Sequence, residues 1–405
     1  MTVVLKAYHN PLDPMTGAPS VEIIGTTTTN SLGFYQFTGL PKLVSGVVGE
    51  DSVIYVLEEV QPGGWRDGLD ATGTVNGVFV GVTHNDYLDQ LALKYGEHGI
   101  EYNFGEIKPA SISGYVHLTD KDGNCYEPGD TDKTPVAGAV IQLLDSQGNI
   151  LDQTVTNADG FYEFDDLMPG TYQIKEYTPP GLIDGADHVG TINNIKVGAK
   201  GANDLLTEIN LASGNDGINY NFCEHLPAEL CGFVFHDRDN DGLREPGLGE
   251  EGIANVEVYL LDASGNRVTL YDINGVAIGN SIFTEEDGSY CFENLKAGLY
   301  TVVEVHPANW LDGLDAVGNI AGVTVGTVNN SNGGDIIRNI TLKWGDHGEE
   351  YDFGEFKPGS IEGFVHAETD QDCDIDPGEL MLQGVEMQLF NSQGTVIGTT
   401  FTDVN

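Results

Sequence analysis

The sequence predicts an all-β protein made of tandem β-sandwich modules, each of about seven strands. Three observations indicate this class: a closing motif recurs at domain-sized intervals, alternating aromatic residues follow turn glycines, and no segment shows sustained helical periodicity. The chain has 405 residues, of which 40% are hydrophobic. It can therefore fill several small cores.

The closing motif divides the chain into four units. It reads YNFGE at 102–106, YNFCE at 220–224 and YDFGE at 351–355, so the copies lie 118 and 131 residues apart. A proline-containing joint and a new strand follow each copy. We therefore predict modules at 1–108, 109–226, 227–357 and 358–405, the first lacking its first strand and the last being only the N-terminal part of a module.

The order of predicted strands repeats within the modules. A first strand with the pattern Gly-[Tyr/Phe]-Val is predicted at 112–117, 230–235 and 361–366. A hairpin strand with the pattern Gly-x-Tyr-x-Phe is predicted at 32–37, 159–164 and 287–292, because aromatic residues alternate after a turn glycine. The opening residues 2–8 correspond to the second strand of later modules.

The chain is strongly acidic. It carries 17 Lys and Arg against 63 Asp and Glu, a formal net charge of -46. This charge disfavours nucleic acid and anionic membranes as partners and favours cations. We find no apolar run of about 18 residues, so no membrane insertion is predicted for this segment. Most carboxylates are expected to solvate the surface, which leaves a minority for any site.

The loop after the first strand of the third module has the spacing of a calcium loop. Carboxylates stand at its positions 1, 3, 5 and 9, namely Asp237, Asp239, Asp241 and Glu245. Gly242 is at position 6, where the chain must turn, and Leu243 at position 7 offers a backbone carbonyl. Leu248 replaces the usual Glu at position 12, so Glu250 or Glu251 is expected to complete the ligand set.

Two other modules carry oxygen ligands at the same place. They are Asp370, Asp372, Asp374, Asp376 and Glu379 in the fourth module, and Asp120, Asp122, Asn124 and Glu127 in the second. A single Asp-rich turn often has a purely conformational role. Three at one position of a repeat predict calcium sites, of which that of the second module, with two Asp and Asn124, is expected to be the weakest.

A second acidic turn also recurs, as DGLD at 67–70, DGAD at 184–187 and DGLD at 312–315. Two interpretations stay open: a second cation site, or an Asx-type turn that caps a long loop. Because each turn offers only two carboxylates, the conformational interpretation is preferred.

The five cysteines are an odd number without C-x-x-C spacing, which predicts neither a structural zinc site nor a dense disulfide framework. Cys223 and Cys231 are eight residues apart and can be proposed as a pair, with free thiols as the alternative. His117 and His366 end first strands and are interpreted as polar turn residues rather than zinc ligands.

These motifs together resemble the SdrD B-like domains of bacterial surface proteins, over essentially the whole chain. The resemblance implies prealbumin-like, Greek-key sandwiches that form a calcium-stiffened stalk carrying an adhesive or enzymatic head. It places the main calcium loop on the Asp-rich loops named above. Related modules form a Lys–Asn isopeptide bond beside a buried Glu, whose positions here are Glu59, Glu176 and Glu304. No such bond is predicted, because the first strands at 112–117 and 230–235 lack Lys.

The expected function is therefore a calcium-stabilised stalk or spacer of a secreted or cell-surface protein, outside the cell, where calcium is plentiful. The alternative is an adhesin region that binds a protein or carbohydrate ligand through the insertions at 41–52 and 269–282. The chain has no G-x-S-x-G, H-E-x-x-H or Gly-rich phosphate loop, so an enzyme is not predicted.

Overall fold

The computed structural model describes residues 1–12, 19–40, 52–94, 96–125, 133–202, 204–330, 334–368 and 374–403. Apart from one 3₁₀ turn at Pro246–Leu248, the elements of these residues are β-strands. The prediction of an all-β chain is confirmed. Within the same residues, no helix has the length and apolar character needed to span a bilayer.

The first module contains one five-stranded sheet and smaller strand pairs. Its strands β1–β10 are Thr2–Leu12, Pro19–Thr28, Ser52–Val60, Arg66–Asp67, Thr74–Val75, Val78–Phe79, Val82–His84, Tyr87–Lys94, Gly99–Ile100 and Glu106–Ile107. The main sheet has the order β2-β1-β3-β8-β7, and β10 pairs with β4.

The second module is a complete two-sheet sandwich. Its strands β11–β22 are Ala110–Leu118, Val140–Asp145, Ile150–Val155, Phe161–Leu167, Gly170–Tyr177, Ile183–Asp184, Thr191–Ile192, Ile195–Lys196, Ala199–Lys200, Leu205–Leu211, Asp216–Ile218 and Phe222–His225. One sheet has the order β16-β22-β11-β21-β17-β18, with β14 also paired to β11, and the other has the order β13-β12-β15-β20-β19. The core between them is formed by residues such as Ile112, Ile141, Ile174, Leu206 and Phe222.

The third module repeats this topology. Its strands β23–β36 are Ala228–His236, Glu257–Leu261, Leu270–Tyr271, Ala277–Gly279, Ile282–Phe283, Ser289–Leu295, Gly298–Glu304, Leu311–Asp312, Asn319–Ile320, Val323–Thr324, Thr327–Val328, Ile336–Leu342, His347–Glu349 and Phe353–Phe356. The first sheet has the order β30-β36-β23-β35-β31-β32, with β28 also paired to β23, and the second has the order β27-β24-β29-β34-β33. The additional hairpin β25-β26 falls in the insertion predicted at 269–282.

The two incomplete modules differ from the sequence prediction in one respect. Residues 32–37 and 361–365 are not strands, although both segments match strand motifs. In the complete modules these two segments pair with each other, as β14 pairs with β11 and β28 with β23. Among the described residues, neither 32–37 in the first module nor 361–365 in the fourth has such a partner segment, and the strands described in the fourth module are β37 (Glu386–Phe390) and β38 (Val396–Phe401). Strand β1 pairs with β3 as β12 pairs with β15, as expected for a second strand.

Candidate metal sites

The predicted loop of the third module closes around Asp237, which directly follows β23. The Asp241 amide donates to Asp237 Oδ1 (3.2 Å) and the Gly242 amide donates to Oδ2 (2.8 Å). The turn that brings these amides inward needs left-handed backbone at Asn240 (φ 56°) and Gly242 (φ 79°). The Asp237 side chain is thereby buried, and this burial raises the pKa of its carboxyl.

Glu250 completes the same loop. Its Oε1 accepts a hydrogen bond from the Arg238 amide (3.0 Å), and its Oε2 accepts one from the Glu245 amide (2.7 Å). The residue is 2% exposed. Glu251, the other residue considered for this role, is exposed. The remaining carboxylates of the loop, those of Asp239, Asp241 and Glu245, are exposed. Buried and rim carboxylates around one turn form an oxygen-only donor set that fits calcium.

The loop of the second module is arranged differently. Asp120 Oδ1 accepts from the amides of Asp122 (2.9 Å) and Asn124 (2.8 Å), and the Asn124 side-chain amide donates to Oδ2 (2.9 Å). The Asp122 carboxylate pairs with Lys343 Nζ of the next module (2.7 Å). Glu127 lies outside the described residues. The described carboxylates of this loop thus have protein partners, and the weak calcium site expected here stays a prediction.

In the fourth module, Asp374, Asp376 and Glu379 are described, whereas Asp370 and Asp372 lie outside the described residues. The Asp376 amide donates to Glu379 Oε2 (3.3 Å), and His366 Nε2 is 3.3 Å from the same oxygen. The structure thus places Glu379 beside the end of the predicted first strand.

The proposed cysteine pair is wrong. Cys223 is bonded to Cys125 and Cys231 to Cys291, so Cys223 and Cys231 do not pair. The two residues lie in different modules, Cys223 in β22 and Cys231 in β23, where Cys231 is directly opposite Cys291 of β28. A spacing of eight residues across a module joint therefore says nothing about proximity. Cys373 lies outside the described residues.

Sequence reasoning missed a cluster of five carboxylates, partly buried around a buried strand Glu, that recurs in three modules. The first member is a Glu at or near the end of one central strand, and the next two are both Asp of the second acidic turn. The fourth is an Asp just before a later strand, and the fifth is the Glu of the closing motif. The members are Glu59, Asp67, Asp70, Asp86 and Glu106; Glu176, Asp184, Asp187, Asp204 and Glu224; and Glu304, Asp312, Asp315, Asp335 and Glu355. We call these the acidic clusters.

Burial, together with repulsion between neighbouring carboxylates, perturbs the acidic clusters strongly. It raises the pKa of Glu176 to about 10, of Glu224 to about 8 and of Asp204 to about 7. The pKa of Glu59 in the first module rises to about 8, and that of Glu355 in the third to about 9, for the same reasons. These carboxyls therefore take up protons more readily than ordinary Asp and Glu side chains do.

One sequence signal could have revealed the acidic clusters. In β15 the buried side chains are Tyr172, Ile174 and Glu176, which are spaced two apart and therefore face the same side of the sheet. A glutamate in phase with core residues is unusual, because an unpaired buried charge is costly. The prediction considered only the two Asp of the acidic turn and so favoured a conformational role.

Comparison with known proteins gives a consistent family signal. The model of the SdrD B-like domain family matches residues 110–223 and 228–355. The chain is 30% identical over 284 residues to serine-aspartate repeat-containing protein F of Staphylococcus epidermidis, covering 69% of this chain and 14% of that protein. It is 28% identical over 402 residues to serine-aspartate repeat-containing protein D of Staphylococcus aureus (strain MW2), covering 95% of this chain and 25% of that protein.

Among solved structures, the shaft pilin SpaA of Lactobacillus rhamnosus GG aligns with 63% of this chain and 100% of its own length, at 11% identity and a TM-score of 0.31. The chain spans between a seventh and a quarter of the length of the two staphylococcal relatives, at 14% and 25%.

Proposed function

Because the chain belongs to the SdrD B-like domain family, we propose that it is a calcium-stabilised stalk segment of a bacterial secreted or cell-surface protein, with a mechanical rather than an enzymatic role. The observation that carries the calcium part is the third-module loop, where the buried carboxylates of Asp237 and Glu250 and three rim carboxylates surround one turn. Calcium would cancel the repulsion between these groups and hold the loop closed.

The first two joints between modules support the mechanical role, because their linker residues are hydrogen-bonded to both neighbouring modules. Ile107 pairs with Arg66 of the first module, and the next residue, Lys108, accepts a hydrogen bond from Gly214 of the second (2.8 Å). His225 likewise pairs with Ile183, and Leu226 accepts from Gly345 of the third module (2.8 Å). Each linker is thus bonded to the modules on both sides.

Side chains reinforce the joint between the second and third modules. Lys121 Nζ is 2.6 Å from Asp346 Oδ1, and the reciprocal pair joins Lys343 to Asp122. The Trp344 ring stacks on His225, with ring centroids 3.8 Å apart and planes 2° from parallel. These contacts connect the predicted calcium loop of one module to its neighbour.

Two observations bear on location and on the adhesin alternative. Two disulfides favour an oxidising, extracellular environment. The insertion at 269–282 contacts the preceding module, since the Gly181 amide donates to the Ile273 carbonyl (2.9 Å). This contact favours a role in the joint over binding of a protein or carbohydrate ligand. Residues 41–51 of the other insertion lie outside the described residues.

The calcium part is tested on the full chain with the double variant Asp237→Asn/Asp239→Asn. A site with a Kd of about 10 μM would stabilise its module by about 2.7 kcal/mol at about 1 mM free calcium. We expect the variant to bind one calcium ion fewer in calorimetric titration and to show a smaller calcium-dependent rise in the melting temperature of the third module. The exposed pair Glu251→Gln/Glu286→Gln, which removes the same charge, is the control. Equal calcium binding by parent and double variant would refute this site.

The joint is tested with the double variant Lys343→Met/Trp344→Ala. It removes one exposed ion pair and one ring stack, so we expect the second and third modules to dock less tightly. One nitroxide label is placed in the second module and one in the third, and double electron–electron resonance measures the distance between them. We expect a broader distribution of this distance in the variant than in the parent. The matched pair Lys196→Met/Trp65→Ala, placed away from this joint, should leave the distribution narrow. An unchanged width in the joint variant would contradict the proposed rigidity.

A further inference from the structure

We propose that the Cys231–Cys291 disulfide is a thiol-exchange site, at which Cys291 becomes covalently attached to a cysteine of a basic polypeptide. Such a site would give the stalk a covalent anchor on its third module. This role goes beyond stiffness and does not depend on calcium binding.

The disulfide lies at the surface of the third module. Cys231 in β23 and Cys291 in β28 are directly opposite each other, with their Cα atoms 4.1 Å apart. Cys291 is exposed and Cys231 is half-buried. The Cys125–Cys223 disulfide differs, because Cys223 is only 1% exposed. Since exchange requires a thiolate to reach a sulfur atom, the Cys231–Cys291 bond is the more accessible of the two to an external thiol.

The sandwich does not need a disulfide at this place. In the second module, Ser113 of β11 is opposite Glu163 of β14, in the register that Cys231 and Cys291 have in the third module. The equivalent strands therefore pair there without a covalent bond. We accordingly expect the third module to stay folded when its disulfide opens, as an attachment site requires.

The groups beside the disulfide determine which sulfur atom leaves. One ring nitrogen of His347 and one carboxylate oxygen of Glu229 lie within 4.8 Å of Cys231 Sγ and of each other. His347 Nδ1 donates to Glu229 Oε2 (2.8 Å), and this hydrogen bond orients the imidazole ring. An adjacent imidazole favours departure of Cys231 as a thiolate. Cys231 is therefore the leaving group, and the exposed Cys291 is the residue that is attacked.

The exchange conserves atoms, protons and electrons. The partner's thiolate attacks Cys291 Sγ, and a new sulfur–sulfur bond forms there as the Cys231–Cys291 bond breaks. Cys231 leaves with the bonding electron pair and takes up the proton that the partner's thiol released. One disulfide replaces another, so no oxidant or reductant is consumed.

The charge around the disulfide selects the partner. Both cysteines line an open depression of about 710 Å³, a size that accommodates several side chains of a peptide. Arg244 borders the depression, because its guanidinium stacks on the Phe233 ring, 3.8 Å from the ring centroid. Exposed glutamates outnumber this cation along the lining: Glu285, Glu293, Glu349 and Glu350. The depression therefore attracts a basic peptide and repels an acidic one.

The test compares two peptides that each contain one cysteine, flanked by lysines in the first and by glutamates in the second. Each reacts with the full chain carrying Cys373→Ser, which removes the fifth cysteine. Iodoacetamide then alkylates the released thiol, and mass spectrometry of proteolytic fragments locates both products. We expect the lysine peptide on Cys291 and the alkyl group on Cys231. At equal thiolate concentration, the lysine peptide should react at least about tenfold faster than the glutamate peptide.

The variant Glu285→Gln/Glu293→Gln should react several-fold more slowly with the lysine peptide. The control Glu163→Gln/Glu208→Gln, which changes two exposed glutamates of the second module, should react as the parent does. Near-ultraviolet circular dichroism of the attached product should show parent-like tertiary packing. The inference would be overturned by the absence of attachment at Cys291, by equally fast attachment at Cys125 or Cys223, or by equal rates for the two peptides.

Discussion

In calcium-free solution, raising the pH from about 5 to about 9 will lower the melting temperature of the chain. The carboxyls of Glu176, Glu224 and Glu355 have pKa values of about 10, 8 and 9 in the folded protein, against 4.5 ordinarily. Between the ordinary and the raised value, the folded state binds more protons than the unfolded state. Stability therefore falls as the pH rises from the ordinary toward the raised pKa values, and the coupled Glu176 and Glu224 contribute to this fall jointly.

Differential scanning calorimetry in EDTA at several pH values measures this effect. The melting temperature of the variant Glu176→Gln/Glu304→Gln should fall less steeply with pH, because its side-chain amides do not ionise. At saturating calcium the melting temperature should also fall less steeply with pH if calcium replaces the protons of these carboxyls. A melting temperature that stays constant or rises over this pH range in EDTA would show that the acidic clusters are not protonated in the folded protein.

Replacing Gly232 by alanine will abolish the cooperative unfolding transition of the third module. Gly232 lies in β23, and a Cβ atom there would be 1.9 Å from the Tyr351 carbonyl oxygen and 2.9 Å from the Tyr290 hydroxyl. The same hydroxyl donates to that carbonyl (2.5 Å) inside the core. Because the obstacle is the backbone of Tyr351, in the segment between β35 and β36 that is hydrogen-bonded to Cys231 of β23, relief requires moving this segment away from β23, and we expect a loss of more than about 4 kcal/mol.

Calorimetry of the full chain, with near-ultraviolet circular dichroism for tertiary packing, measures this loss. Gly247→Ala is the matched control in the same module, because no atom lies within 4 Å of the added Cβ and the backbone there is not left-handed. The equivalent change Gly114→Ala, which places a Cβ 1.8 Å from the Tyr220 carbonyl oxygen, should act likewise on the second module. Parent-like melting of Gly232→Ala would mean that β23 is not held against Tyr351.

Much of the fold followed from local sequence patterns. Period-two strands after turn glycines, repeated at module length, predicted an all-β chain, and this prediction is confirmed. The family match confirms the resemblance to SdrD B-like domains. Two segments with correct strand motifs, 32–37 and 361–365, are nevertheless not strands. A strand needs a hydrogen-bonded partner, and a motif does not reveal whether the chain contains that partner.

The Asp-rich loop was predictable because its carboxylates are close in sequence. The acidic clusters were not, because their members come from segments up to about fifty residues apart, such as Glu176 and Glu224, and meet only after the sheets have formed. The disulfides illustrate the same point. Cys125 and Cys223 are 98 residues apart and bonded, whereas Cys223 and Cys231 are close in sequence and unbonded. The calcium assignments themselves remain predictions to be tested.

The backbone hydrogen bonds at the first two joints affect how the length of the stalk depends on its number of modules. At each of these two joints an amide of the following module donates to a linker carbonyl, Gly214 to Lys108 and Gly345 to Leu226. A flexible tether extends its mean span only as the square root of its length. An array whose joints all impose the same rotation and translation instead follows a regular screw path. Its end-to-end distance then grows in proportion to the number of modules, so adding a module moves the tip outward by a fixed step.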